Sequence, residues 1–304
     1  MANKRDALGY VQATFATLLV GSGVTTASLL KDASPLLTQG MRYTIGALFL
    51  IPLVVREEKV DSRLTKVDYL HLLLVAGLGV VAFSTLGIIA LRHIDPSGLA
   101  IIIGAAPIAI GIFGPIIDKR RPTLRPIIGA VVVLLGTAIV EGNSSASLIG
   151  IALALVVMAC DASFSIFSVG VVKKIGPYRL SLITISFGAV VLLGYEAVTG
   201  DLRLASLTHR EYIIIAYQGV FSTFGAFALW YQGMSRVKIE SIGLFPGLIP
   251  VGALITTFFV GLAPKRGVID ALGVAISVAG IAFGLTKGRW GKARRNLAQQ
   301  GLTS

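Results

Sequence analysis

Charged residues are scarce in this sequence. Asp, Glu, Lys and Arg make up 14% of its 304 residues, whereas a typical soluble protein carries about 25%. Hydrophobic residues make up 55%, and the mean hydropathy is +0.83. Runs of about 20 apolar residues, long enough to cross a hydrocarbon layer, recur along the whole chain. This composition predicts an all-α polytopic membrane protein and leaves no room for a separate soluble domain.

Cysteine and the common catalytic motifs are nearly absent too. The one cysteine, Cys160, lies inside an apolar run, which excludes an intrachain disulfide and provides no cluster of metal ligands. The sequence has neither a P-loop for phosphate binding nor an HExxH zinc motif. We therefore expect no cofactor, no metal and no enzymatic activity, and we find no sign of ATP-driven transport on this chain.

Acidic residues are outnumbered by basic ones, 15 against 27, which gives a net charge of +12. The basic residues lie in short loops and a tail rather than in one patch with aromatics, so nucleic acid is not the expected partner. Most of the 27 occupy alternate connections between the apolar runs. By the positive-inside rule, both termini are predicted to be cytoplasmic, in a multi-pass protein of the cell (inner) membrane.

Ten apolar runs predict ten membrane-spanning helices rather than barrel strands, which would be shorter and alternating. The first run starts after basic residues and continues to about Leu30 with no cleavage site, so it is predicted to be a retained helix. The predicted spans are 7–29, 34–55, 68–91, 95–117, 125–141, 147–172, 177–198, 211–233, 239–262 and 268–286.

An internal repeat joins spans four and five to spans nine and ten. The matching residues are Gly104 and Pro107 with Gly247 and Pro250, and Gly129 and Gly136 with Gly273 and Gly280. We therefore predict two five-helix repeats, residues 1–143 and 144–286, followed by a basic cytoplasmic tail, 287–304. Because five is odd, the second repeat would be inverted, an arrangement typical of secondary transporters with a binding site near the midplane.

Three segments resemble the drug/metabolite transporter superfamily, specifically its ten-helix EamA-type exporters. They are SPLLTQGMRYTIGALFL, ALRHIDPSGLAIIIGAAPIAIGIF and ALWYQGMSRVKIESIGLFPGLIPVGALI. The resemblance implies an exporter of small solutes, and aromatic amino acid exporters are one match. The family often has a Gly-Glu pair after helices four and nine. Here those places read GPIIDKRRP, with Asp118, and GLAPKRG, so a gating or coupling role for that glutamate is not carried over.

Two ionisable residues, Arg42 and Asp161, lie deep inside predicted spans. Arginine at a helix centre in lipid costs about 2.5–3.5 kcal/mol on an insertion scale, so such residues usually face the bundle interior. Arg42 is predicted to bind a substrate carboxylate; the alternative is a structural arginine held by carbonyls, polar side chains or Asp161. Asp161 is predicted to bind substrate and to couple protons; the alternative is a neutral or paired acid that fixes helix packing.

Polar and aromatic side chains recur at helical spacing and supply further candidates. Such faces turn inward, either to line a cavity or to pack tightly. The aromatic cluster of helix eight favours a ring-bearing solute, although several rings could face lipid, and Trp230 and Tyr231 could be interfacial anchors. The other substrate-binding candidates are Thr17, Tyr43, Ser165, Gln218, Phe221 and Phe224.

Pro107 and Pro250 each remove a helix hydrogen bond within a predicted span. They are predicted to be hinges for alternating access, with a simple packing kink as the alternative.

The leading hypothesis is a secondary transporter that exports small organic metabolites, most specifically amino acids, including aromatic ones, by alternating access. Its expected partners are a small-molecule substrate and the lipid bilayer, and the oligomeric state stays open, a monomer being compatible. The alternatives are uptake or exchange of another metabolite or drug, and a membrane protein that does not transport, such as a lipid-acting enzyme or a channel.

Overall fold

The computed structural model describes residues 4–30, 33–58, 63–117, 124–141, 147–199, 204, 207–237, 242–261 and 267–285, and within these ranges every regular element is helical. The predicted repeat boundary at 143/144, the tail 287–304 and Asp118 lie outside the described residues.

Within these described ranges, six helices are long and apolar enough to cross a membrane, and they match six of the predicted spans. The first comprises α1 and a short 3₁₀ turn, Ser28–Leu30. The helices are α1 (Lys4–Ala27), α2 (Pro35–Arg56), α3 (Lys66–Ala90), α7 (Leu148–Ile175), α8 (Pro177–Thr199) and α9 (His209–Arg236).

The regions of the other four predicted spans hold shorter or interrupted helices. A break at Ala105 separates α4 from α5, and a 3₁₀ turn, Phe245–Leu248, precedes α10. The helices are α4 (Pro96–Gly104), α5 (Ala106–Ile117), α6 (Leu124–Glu141), α10 (Ile249–Phe259) and α11 (Gly267–Leu285). The total of ten spans therefore stays a prediction.

The helices begin where the sequence offers a cap. Ser34 precedes Pro35 and accepts a hydrogen bond from the backbone N–H of Leu37, and proline fits the first turn because its missing N–H has no intrahelical partner. Capping boxes start α3 at Thr65 with Asp68, and α9 at Thr208 with Glu211.

Contacts between connections define two ends of the bundle. At the proximal end, where α1 begins, Glu57 accepts hydrogen bonds from the backbone N–H groups of Tyr178 and Arg179 at 3.0 and 2.9 Å. At the distal end, where α1 finishes, the Ser147 hydroxyl donates to the carbonyl of His93 at 3.2 Å. Successive long helices therefore run in opposite directions, as expected for a chain that crosses a membrane repeatedly.

Pro107 and Pro250 each stand at the second residue of a new helix, α5 and α10, rather than inside a continuous one. At that position the missing N–H costs no intrahelical hydrogen bond. The helix hydrogen bond that each proline was predicted to remove is therefore not lost. The two helix breaks lie close together: a Cβ built on Gly104 would be 3.2 Å from the ring of Pro250. Their role as hinges stays a prediction.

Helices from different parts of the chain approach closely where glycine removes the side chain. A Cβ built on Gly21 of α1 would lie 2.1 Å from the carbonyl oxygen of Ile249, and one on Gly252 would lie 2.2 Å from that of Leu18. Such distances are far below van der Waals contact, so α1 and α10 pack backbone against backbone.

Candidate functional site

A cavity of about 950 Å³, open solvent at its mouth included, lies between the helices. Its lining on α1 runs from Ala16, near the helix middle, to Ala27 at the distal end, so the cavity occupies the distal half of the bundle. Helices α1, α2, α3, α4, α7 and α9 and the start of α10 contribute. The wall is mostly apolar, and its polar side chains are Thr17, Gln39, Arg42, Tyr43, Ser84, Asp161, Ser222 and Trp230.

Arg42 projects from α2 into this cavity and is 9% exposed. Its guanidinium carbon lies 4.9 Å from the ring centroid of Tyr43, a cation–π contact, and one terminal nitrogen lies 3.5 Å from the Tyr43 hydroxyl. The Nε atom has no hydrogen-bond partner. Among the described residues, no carboxylate lies within ion-pair distance of Arg42, so the alternative in which Asp161 holds it is not realised in this state.

Tyr43 is held rigidly beside Arg42. It is 1% exposed, and its hydroxyl donates to the carbonyl of Val80 at 3.0 Å and contacts the hydroxyl of Ser84. Because both partners belong to α3, the phenol ties α2 to α3 at the wall of the cavity. Arg42 therefore rests on a fixed ring rather than on a mobile loop.

Asp161 faces the cavity from the middle of α7. Its Oδ2 atom is buried and has no hydrogen-bond partner. A buried polar atom in a native fold is usually paired, so an unpaired one calls for a specific explanation. The cavity wall therefore holds side chains of both charge signs, and each has one buried polar atom that no described group pairs.

Aromatic rings form the deepest part of the cavity wall. Phe164 lies 5.5 Å from Phe227 between ring centroids, and 5.3 Å from Tyr231 behind it. Trp230, 7% exposed, joins Phe164 and Phe227 in the lining. The expectation that Trp230 and Tyr231 are interfacial anchors is wrong, because both are buried inside the bundle.

Two wide π-helical turns shape the wall at related places. One spans Gly77–Ala82 in α3 and the other Gln218–Gly225 in α9. Such turns insert an extra residue and rotate the face of the helix that follows, and they are frequent at functional sites. The lining residues run in parallel through both turns at equal spacing: Gly79, Phe83, Ser84 and Gly87 in α3, and Ser222, Ala226, Phe227 and Trp230 in α9.

The structure brings four of the predicted substrate-binding residues together in the cavity: Thr17, Arg42, Tyr43 and Asp161. Thr17 also donates its hydroxyl to the carbonyl of Ala13 in its own helix, at 2.9 Å.

The other four predicted residues lie away from the cavity. Ser165 is buried behind the wall, at 1% exposure. Gln218 donates from Nε2 to Thr26 Oγ1 at 3.1 Å and so fastens α9 to α1. Phe221 is 49% exposed and stacks on Tyr217, and Phe224 packs against Phe49.

Gln39 and Ser84 line the cavity and were not among the predicted residues. Gln39 precedes Arg42 by three positions and so shares its helix face, a spacing that the sequence already contains. Ser84 stands just after a π-helical turn, where ordinary helical periodicity gives no guidance.

A polar network at the proximal end joins α1, α8 and α9. Gln12 Nε2 donates to Gln232 Oε1 at 2.6 Å, and Arg236 donates to Gln12 Oε1 at 2.6 Å. Gln232 in turn contacts the hydroxyl of Tyr178. This network lies on the proximal side of the aromatic wall, away from the cavity.

Comparisons with known proteins agree with this architecture. A model described as the EamA-like transporter family matches residues 7–141 and again 148–286. An uncharacterized transporter of Bacillus subtilis, YetK, is 25% identical over 289 residues, covering 91% of this chain and 87% of the relative. One from Archaeoglobus fulgidus is 25% identical over 228 residues, 73% and 78% of the two chains. A crystal structure, described only as that of a protein, superposes on this chain with a TM-score of 0.67 at 20% sequence identity. The match covers 92% of this chain and 95% of the other. At this identity the likeness shows the fold alone.

Proposed function

The chain belongs to the EamA-like transporter family of the drug/metabolite transporter superfamily and is a multi-pass membrane transporter, and we propose that it exports small organic metabolites, specifically amino acids. The family and the transporter relatives point to a transporter rather than an enzyme. The observation that supports amino acids is the cavity itself, in which Arg42 and Asp161 each keep an unpaired polar atom.

An amino acid complements these two residues. A guanidinium binds a carboxylate through directed N–H groups, and the Asp161 carboxylate would accept hydrogen bonds from an ammonium group. The aromatic wall at Phe164 and Phe227 would take the side chain, which favours aromatic amino acids within the class. Uptake or exchange of another metabolite or drug is the competing function, and no observed contact favours it.

We propose that transport proceeds by alternating access between two inverted five-helix repeats with ten spans in all. Three features support this: the family model matches twice, each matched segment contains a π-helical turn, and each contains an interrupted helix that resumes at a proline. The cavity reaches the distal end while the Gln12–Gln232 network lies on its proximal side, an asymmetry expected of one of two alternating states. The distribution of Lys and Arg supports cytoplasmic termini in the inner membrane.

Purified protein in proteoliposomes tests this function. Vesicles preloaded with an unlabelled amino acid should take up the labelled amino acid by counterflow, saturably, and protein-free vesicles should not. The Arg42→Gln variant serves as the negative control. Saturable flux of a cationic drug or a nucleoside, with none for any amino acid, would instead support the competing function.

A further inference from the structure

Trp230 has an indole N–H that no described group accepts. The side chain is 7% exposed and lines the cavity, and Nε1 has no hydrogen-bond partner. Buried tryptophan N–H groups usually find a partner, because an unpaired buried donor is costly. Trp230 therefore combines a place in the cavity wall with a buried donor that no described group satisfies.

Trp230 lies deeper in the cavity than Asp161. Both α7 and α9 run from the distal to the proximal end. Phe164 follows Asp161 by about one turn of α7, and its ring contacts that of Phe227 on α9 at 5.5 Å. Trp230 follows Phe227 by nearly another turn. Phe164, Phe227 and Trp230 therefore form an aromatic floor proximal to the Asp161 carboxylate.

A second unpaired donor lies at the other end of the cavity. Gln39 is 1% exposed, lines the cavity, and has no partner for its Nε2 atom. It stands about one turn distal to Arg42 on the same face of α2, and the Nε atom of Arg42 is also unpaired. Two neighbouring donors, one of them charged, suit the two oxygens of a carboxylate.

On the basis of the proposed function, we propose that Gln39 and Trp230 are specificity-determining residues. Gln39 joins Arg42 on the solute carboxylate, and the Trp230 N–H donates to an oxygen at the far end of the solute's side chain. The substrate class is therefore a ring-bearing amino acid whose side chain ends in a hydroxyl or carbonyl oxygen. Tyrosine has this form, and phenylalanine is its match in shape without the oxygen.

Discrimination follows from the unpaired donor rather than from the size of the floor. A site built to hydrogen-bond a hydroxyl strongly rejects the analogue that lacks it, because the protein group then stays buried and unpaired. A purely apolar floor would accept phenylalanine at least as well as tyrosine. The ratio of tyrosine transport to phenylalanine transport therefore measures the Trp230 contact directly.

Counterflow of labelled tyrosine and phenylalanine into proteoliposomes tests the proposal. Wild-type protein should prefer tyrosine by at least about tenfold. Trp230→Phe should bring the ratio close to one, mainly through loss of tyrosine transport. Phe83→Leu, a change to another lining residue that has no polar side-chain atom, should leave the ratio as it is. Gln39→Met should reduce the transport of both amino acids equally and should reduce the transport of their amide analogues less.

Tryptophan fluorescence supplies a second measurement that does not depend on transport. The sequence has two tryptophans, Trp230 and Trp290, so Trp290→Phe leaves Trp230 as the sole emitter. Adding tyrosine under tryptophan-selective excitation should shift its emission, and adding phenylalanine at the same concentration should shift it less.

The two proposals fail differently. Transport of both amino acids by wild-type protein with no tyrosine preference, or an unchanged ratio in Trp230→Phe, would overturn the assignment of Trp230 and leave amino acid export standing. Saturable flux of other solutes with none for any amino acid, and no emission change with tyrosine, would overturn both.

Discussion

The two segments that match the family model, 7–141 and 148–286, share a frame but supply different chemistry to the cavity. Each has a π-helical turn, and each has a helix that resumes at a proline. The first segment contributes the cation, Arg42, and the second contributes the acid, Asp161, together with Trp230. The shared features belong to the backbone, and the differing ones are side chains.

The second helices of the two segments, α2 and α8, show this difference most clearly. Both begin at a proline, but α2 turns Gln39 and Arg42 into the cavity. On α8, the fully buried Ser181 and Thr184 donate their hydroxyls to carbonyls of their own helix, at 2.9 Å each, and neither lines the cavity. A duplicated frame thus holds a site whose polarity is not duplicated.

The largest expected effect is at the cation of the first segment. Arg42→Gln should lower counterflow of an amino acid about 100-fold, because a charged, directed hydrogen bond to the carboxylate is lost. Arg42→Lys keeps the positive charge but lacks the planar donor fork of the guanidinium. It should therefore reduce the transport of carboxylated solutes more than that of their amides. An equal loss for both, with poor folding by thermal shift, would instead make Arg42 structural.

The acid of the second segment should affect coupling rather than exchange. Asp161→Asn keeps the size of the side chain and one acceptor oxygen but cannot gain and lose a proton. Accumulation driven by a pH gradient should therefore disappear while counterflow continues at a reduced rate. Gradient-driven accumulation that survives in Asp161→Asn would show that the acid does not couple protons.

Close packing between the segments should be sensitive to a single methyl group. Gly21→Ala places a Cβ against the carbonyl oxygen of Ile249 and should destabilise the protein by about 1–3 kcal/mol, as overpacking does. Gly170→Ala is the matched control, because nothing lies within 4 Å of its Cβ position. Thermal unfolding in detergent measures both, and equal melting temperatures would mean that α1 and α10 are not in contact.

The smallest expected effect compares the two capping boxes. Asp68 caps α3 and also pairs with Lys174 of α7 at 2.6 Å, whereas Glu211 caps α9 and forms no ion pair with any of the described residues. Asp68→Asn should therefore lower the melting temperature by a few degrees, and Glu211→Gln by less. The reverse order would show that the Lys174 pair contributes little, as exposed ion pairs commonly do.

Hydropathy was sufficient to find the long helices but not the details within them. The apolar runs predict the six long helices closely, since burial in lipid demands about 20 apolar residues whatever the packing. Arg42 and Asp161 were also found from the sequence, because a charged side chain inside such a run usually faces the bundle interior. The cavity contains both residues.

The floor of the cavity was missed for a physical reason. The density of aromatic residues along this helix singles out Phe221 and Phe224, but the wide turn Gln218–Gly225 changes which side chains share a face at that point. Phe221 faces outward, and Phe227 and Trp230 face the cavity. No residue pattern in a single sequence marks a π-helical turn, so this face could not be predicted.

The pairing of α1 with α9 and α10 has a consequence for biosynthesis. Gln12 bonds to Gln232, and the Thr25 hydroxyl donates to the carbonyl of Ala253 at 2.9 Å, so α1 takes these partners from 220 and 228 residues later in the chain. At about 5–20 residues per second, roughly 10–50 seconds pass before those partners emerge from the ribosome. During that time α1 waits in the membrane with its polar face uncovered. Enclosure of α1 therefore has to follow synthesis of the helices that lie between it and its partners in the chain.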